Sequence, residues 1–401
     1  MLLLVATVAV GGACGTLGER RRETATPSPP RPTGPERPGD VIERQGRAMM
    51  AGDEAGWLAD VDASNPSLLA RYTSFFRVLH ALGVSEWQPE ISDIGFGETA
   101  KIKVKVNYCI VTTIECKFDD REKGSYTVGF ASRGDRVLIT SFSDDPPGPA
   151  EDAKPWDTDE LVFRQGERVT VAAPKDLEAH LDRVLIEADA AARVADPYAR
   201  WDKPSRYLVF VGGKKQWSRW YRSIDEVAGF AKPSTSPYAA VEWPSYDLGY
   251  VLRHELGHLA TLYGVSNIDT PGCCVLLVRP KWLTEGIAEL IGYQGASTTT
   301  NDRLSGLRQH LRAGRWDGKF DSEVKPLGKT PDDRSRVENA QYVLSHLAFY
   351  CLLDTYGEDA AYTFFRLVAR ERRAPEDYLG FGKPWSQVEA GCARWIRSVA
   401  R

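Results

Sequence analysis

Hydrophobic and polar positions change period several times along this chain, and each change marks an element. Across residues 41–62 (VIERQGRAMMAGDEAGWLADVD) apolar side chains recur at helical spacing, with a break near Gly52. Leu68, Leu69, Tyr72, Phe75, Phe76, Val78 and Leu79 mark one face of a helix over residues 67–82. The period drops to two at residues 101–106, where Lys-Ile-Lys-Val-Lys-Val alternates strictly. This predicts a half-buried strand with a charged outer face, and strands follow at 126–130 and 136–142. Beyond an acidic, Pro- and Gly-rich stretch at 144–154, short strands are expected at 161–163 and 169–172. A long helix at 175–194 carries Leu177, Leu181, Val184, Leu185 and Ala188 on one face. Residues 207–211 (YLVFV) read as a buried strand, and 238–243 as a short one bounded by Pro237 and Pro244. Helices are expected at 246–263, 281–293, 337–355 and 388–399. There is no internal repeat, and the fold class is α+β.

The 401 residues leave room for two or three domains at about 150 residues each. Hydrophobic residues at 42 % and charged residues at 26 % exclude a wholly disordered chain and a multi-span membrane protein. The formal net charge of −4 offers no basic excess for neutralising phosphates, so nucleic acid is not an expected partner.

Seven cysteines are present, and Cys14 stands apart from the other six. It follows an apolar run at residues 2–10 and the small residues Gly11, Gly12 and Ala13. The run is too short to span a bilayer and suits a signal-peptide core. Its ending resembles a bacterial lipobox, whose cysteine is acylated; the alternative is an ordinary cleaved signal with an incidental cysteine. Either implies export, and the first implies an extracytoplasmic protein held at the cell membrane by an N-terminal lipid. Residues 1–14 are then the signal, and 15–40, rich in Pro and Arg, a disordered tether. An accessory α+β domain is expected at 41–145, a linker at 146–158 and a second domain at 159–401. Helices followed by an antiparallel sheet make the accessory domain resemble the cone-shaped nuclear-transport-factor-like fold.

The chemistry sits at His254-Glu255-Leu256-Gly257-His258, an HExxH motif inside an apolar helical pattern. Residues four apart share a helix face, so both imidazoles can reach one metal, and Glu255 lines the same groove as a general base. Zinc held this way lowers the pKa of a coordinated water to about 7. A catalytic zinc needs a third protein ligand, and the position where a third histidine would follow is Gly264. The segment Trp282-Leu-Thr-Glu-Gly-Ile-Ala-Glu289 supplies a carboxylate instead.

HExxH followed by W-L-x-E-G-x-A resembles the gluzincin clan of zinc metallopeptidases. The resemblance covers about residues 160–370 and implies Glu285 as the third zinc ligand. It implies that Glu289, one turn on, hydrogen-bonds a zinc-binding histidine. In the helix at 337–355 it points to Tyr342 as the donor to the substrate oxyanion, with His346 as the fallback. It also places the strand at 238–243 at the sheet edge that pairs with substrate backbone. Ala239-Ala-Val-Glu-Trp243 loosely echoes the clan's amine-binding segment, which makes Glu242 a minor candidate.

The expected function is zinc-dependent hydrolysis of peptides or proteins outside the cytoplasm; oligomeric state and exact substrate are open. The rival is a non-catalytic envelope lipoprotein with a vestigial or structural zinc site. A third reading is a latent enzyme whose accessory domain covers the cleft. For the disulfides, Cys109 with Cys116 and Cys351 with Cys392 are expected, the alternative tying Cys273 or Cys274 to Cys351 or Cys392.

Overall fold

The computed structural model describes residues 36–91, 98–110, 121–144, 154–220, 228–233, 236–265, 280–297 and 301–400. Cys14, Cys116, Cys273, Cys274, the tether up to residue 35 and most of the linker lie outside the described residues.

Three helices open the chain: α1 (Pro38–Ala51), α2 (Glu54–Leu58) and α3 (Pro66–Ala81). Gly52 ends α1 at φ +67°, which produces the break foreseen in the pattern. Asn65 caps α3 by accepting the Leu68 N–H at 3.1 Å. An antiparallel sheet follows, ordered β1 (Val84–Ile91), β2 (Thr99–Ile110), β3 (Glu122–Arg133) and β4 (Arg136–Asp144). On β2 the alternation places Ile102, Val104 and Val106 in the core and leaves Lys101, Lys103 and Lys105 exposed. Strand β1 has no such signal, because only Trp87 is buried along VSEWQPEI and Pro89 sits on an edge. Trp57, Tyr72, Phe75, Trp87 and Tyr126 fill the lobe so closely that the cavity between them measures about 20 Å³, space for one water. Cys109 is disulfide-bonded.

After the turn α4 (Pro155–Thr158) comes a second sheet, of β5 (Leu161–Gln165), β6 (Val169–Pro174), β7 (Tyr207–Gly213), β8 (Gly229–Lys232) and β9 (Tyr238–Trp243). Its order is β5-β6-β7-β9-β8, with β6, β7 and β9 parallel and the two edge strands antiparallel. Helix α5 (Leu181–Ala195), preceded by a 3₁₀ segment at Lys175–His180, makes the β6–β7 crossover; α6 (Lys214–Trp220) follows β7. Both faces of this sheet are buried, which explains the unbroken apolar run of β7. Tyr207, Val209 and Val211 pack toward the helices, whereas Leu208 and Phe210 join one hydrophobic cluster with the N-terminal lobe.

The helices that follow are α7 (Leu248–Leu262), α8 (Lys281–Gly292), α9 (Asn301–Arg312), α10 (Pro331–Tyr356), α11 (Glu358–Phe365) and α12 (Trp385–Val399). Helices α8 and α10 touch at Gly286, where a Cβ would lie 2.4 Å from the Ser345 carbonyl oxygen. A disulfide joins Cys351 in α10 to Cys392 in α12, with Cα atoms 5.8 Å apart. Among the described residues no helix is long and apolar enough to cross a membrane.

Candidate metal site and cleft

Helix α7 begins at Asp247, whose carboxylate accepts the Tyr250 N–H at 3.0 Å. The spacing then sets His254 and His258 one turn apart on its cleft-facing side. Glu285 and Glu289 repeat the arrangement on α8. His254 Nε2 stands 3.2 Å from His258 Nε2 and 3.2 Å from Glu285 Oε2, and His258 Nε2 stands 3.3 Å from the same oxygen. The three side chains form the metal-competent cluster found among the described residues.

The triangle can be tested against zinc. Tetrahedral bonds of 2.0–2.1 Å require ligand atoms about 3.3–3.4 Å apart. Glu285 Oε2 is also buried without a hydrogen-bond donor. A buried carboxylate oxygen left without a partner is costly unless a cation completes it. The geometry and the N,N,O donor set both fit a zinc ion. Burial alone would raise the Glu285 carboxyl, but the adjacent His258 and His254 outweigh it and hold it far below the usual range.

Glu289 is fully buried behind His254, with Oε1 3.2 Å from His254 Nδ1. His254 Nδ1 is left without a hydrogen bond, so in place of the expected hydrogen bond Glu289 makes a close electrostatic contact. Tyr250 OH donates to Glu289 Oε1, and Arg303 Nη1 reaches Oε2 at 3.0 Å. Arg303 also donates to Tyr250 OH and Tyr293 OH. Burial would raise the Glu289 carboxyl; His254 and Arg303 outweigh it and lower it to about 2. None of Tyr250, Tyr293 and Arg303 stands out in the sequence. Arg303 lies in a helix so polar that a lone arginine reads as a solvated charge.

Glu255 is buried, and burial pushes its carboxyl up, with Glu285 and Glu289 adding to the rise against the two histidines. It opens on a cleft of about 300 Å³ shared with His254, His258, Glu285, Tyr342 and the edge strand β8. The Tyr342 ring meets the His254 ring edge-on at 5.9 Å between centroids. Burial raises the Tyr342 phenol, as do Glu285 and Glu255, so its proton stays in place. A second hollow of about 520 Å³ continues past Glu285 and Tyr342, between Trp282, Phe320 and Arg334.

Three further expectations need correction. Strand β9 is not the sheet edge: it lies between β7 and β8, and the edge is β8, a strand the pattern did not reveal. Glu242, on that interior strand, does not line the cleft. His346 is no donor to the cleft either. It is fully buried, stacks on Tyr293, and has Nε2 2.9 Å from the Ala296 carbonyl. The remaining histidines pack locally: His80 on Phe76, His180 on Trp243, and His310 with Nδ1 3.0 Å from the Gly306 carbonyl.

No protein-family model matches the sequence, and no curated protein does. Among solved structures that match is native yeast LTA4 hydrolase, at TM-score 0.34 and 14 % identity. The match covers 79 % of this chain and 58 % of that one, so the chain spans under two thirds of its length. At that similarity neither the activity nor the substrate of the yeast protein passes to this chain.

Proposed function

We propose that this chain is a zinc-dependent peptide hydrolase of gluzincin type. The convergence of His254, His258 and Glu285 beside the buried Glu255 carries the reading. The two histidines and Glu285 would hold the metal. Zinc bound there supplies a Lewis acid and an acidified water. Glu255 accepts the proton of the attacking water; its raised basicity suits that task and its later return to the leaving amine. Tyr342 keeps its proton and donates it as a hydrogen bond to the developing oxyanion. An extended substrate backbone pairs along β8, the edge strand lining the cleft. Glu289, clamped by Arg303 and Tyr250, keeps a negative charge 3.2 Å from His254 Nδ1, on the side of the ring away from the metal position. The substrates are peptides or proteins outside the cytoplasm, reached from a lipid anchor at Cys14.

The rival is a structural zinc site in a binding lipoprotein. Structural sites are closed by four protein ligands and have no use for a general base, whereas three residues cluster here beside an open cleft. Zinc content and cleavage of casein by wild type and Glu255→Gln separate the two. Zinc retained in both with cleavage lost only in Glu255→Gln supports the enzyme. No cleavage by either, at full zinc occupancy, supports the rival.

A further inference from the structure

Strand β8 is four residues long and hydrogen-bonds on one side to β9, with Gly229 opposite Val241 and Lys232 opposite Tyr238. Its side chains alternate between two bodies. Phe230 packs into the cluster shared with the N-terminal lobe, and Ala231 into the cluster that contains α7. Gly229 presses on the catalytic helix without clearance: a Cβ there would lie 2.6 Å from Val251 Cγ1 and 2.7 Å from Glu255 Oε1. Inward movement of β8 is thus blocked by α7. Outward movement is opposed from the other lobe.

Lys232 points away from α7 and donates its ammonium to Glu122 Oε1, at the start of β3. Glu122 is 5 % exposed, and its second oxygen holds Lys154 Nζ at 3.2 Å. Lys154 is itself tied to the Lys123 carbonyl at 2.6 Å, so the trio is anchored in the N-terminal lobe. Just past β8, the fully buried Ser236 hydroxyl accepts the Ile110 N–H of β2 at 3.4 Å. Glu122 is the buried member of the trio, so its loss leaves two part-buried ammonium groups without their shared carboxylate.

We infer that the N-terminal lobe is a working part of the cleft, with Glu122 as a positioning residue that clamps Lys232 and holds β8 against Glu255. The inference rests on the proposed hydrolase reading and extends it. In this role the lobe sets the height of the strand that receives substrate. Breaking the clamp lets β8 lift, and the loss falls on turnover, with zinc binding intact.

The experiment uses the full chain, zinc-loaded, as wild type, Glu122→Gln, Lys232→Met and Lys232→Arg. Amide hydrogen exchange reads the strand directly. Residues 228–233 should exchange about 10-fold faster in Glu122→Gln and Lys232→Met while α7 keeps its protection, as expected for a locally destabilised unit. Unchanged exchange at 228–233 overturns the clamp, whatever the activity. Cleavage of a quenched fluorogenic peptide mixture reads the consequence. With one zinc per chain retained, kcat/KM should fall about 10-fold in those two variants and return to within about 2-fold in Lys232→Arg, since small misplacements of a positioned group are costly. Variants that melt earlier yet keep kcat/KM would make the pair merely structural and overturn the proposal. If Glu122→Gln does not fold, Lys232→Met carries both arms, because it leaves Glu122 paired with Lys154. Wild type that cleaves nothing ends the hydrolase reading, and the exchange arm still decides the clamp.

Discussion

The cleft has two walls built on different principles. Its floor, α7 against α8, is supported from within: two helices of 15 and 12 residues, each with a continuous buried face, carry every proposed metal ligand, the two histidines at one-turn spacing. Its roof, β8, has four residues, none of them fully buried, and one hydrogen-bonded neighbour. The floor is held by its own core and the roof by Glu122, a residue more than 100 positions away in sequence. On the proposed reading, the chemistry that must be fixed to a fraction of an ångström sits on the packed helices, and the surface that would admit a substrate sits on the element with the least support of its own.

The difference orders the expected effects of mutation. The largest belong to the floor. Glu255→Gln should lower kcat by about 10²–10⁴-fold, the usual worth of a general base, with zinc content unchanged. Loss of zinc in the same variant would mean that Glu255 is a ligand and that the assignment of roles on α7 is wrong. Chelation should abolish activity reversibly yet leave the far-ultraviolet spectrum of the chain intact, because α7 and α8 are packed through their own apolar faces. Collapse of the fold on chelation would make the site structural and break the contrast between packed floor and borrowed roof.

A smaller effect is expected behind the floor. Glu289→Gln, or removal of the Arg303 guanidinium, should weaken zinc affinity about 10–100-fold, as for other groups that orient a ligating histidine. Competition with a chromophoric chelator measures it. Equal affinity in Arg303→Met would show that Glu289 needs no clamp. The staple beneath the cleft should act on stability alone. Replacing Cys351 and Cys392 by Ser removes a cross-link between residues 41 apart, worth about 4 kcal/mol in the chain-entropy model. Melting should fall accordingly, with kcat/KM at 25 °C unchanged; a parallel loss of turnover would tie α12 to the position of Tyr342.

How much could be read from the sequence follows the same division. The floor is legible because its signal is local: i, i+4 spacing puts His254 with His258 and Glu285 with Glu289, and the apolar positions between them declare the helices. The pairing of α10 with α12 is legible too, since Cys351 and Cys392 each fall in a helical apolar run. The roof is not legible. Gly-Phe-Ala-Lys has no alternation of its own, and its strand conformation is imposed by β9 on one flank and Glu122 across the lobe boundary. Arg303 is hidden for a related reason, a charge in a polar helix that only tertiary packing buries. His346 fails differently. One turn from Tyr342 means about 5–6 Å along the helix axis, enough to place it under Tyr293 and out of the cleft.

The smallest expected effect sharpens the contrast through pH. Burial alone would raise the Glu122 carboxyl, but Lys232 and Lys154 outweigh it, and the folded-state pKa lies below the usual carboxylate value. A depressed carboxyl contributes stability that is complete above its unfolded pKa, about 4.3, and lost as pH falls through the folded value. The clamp should therefore be intact at pH 5–8 and weaken only in stronger acid. In hydrogen exchange on wild type, the protection of residues 228–233 relative to α7 should be constant from pH 5 to 8, after correction for intrinsic rates. In Glu122→Gln the ratio should be lower throughout and no longer respond to acid below the carboxylate range. A ratio that drops in wild type between pH 6 and 5 would mean that Glu122 protonates above its usual range, and that the roof is held by something other than this ion pair.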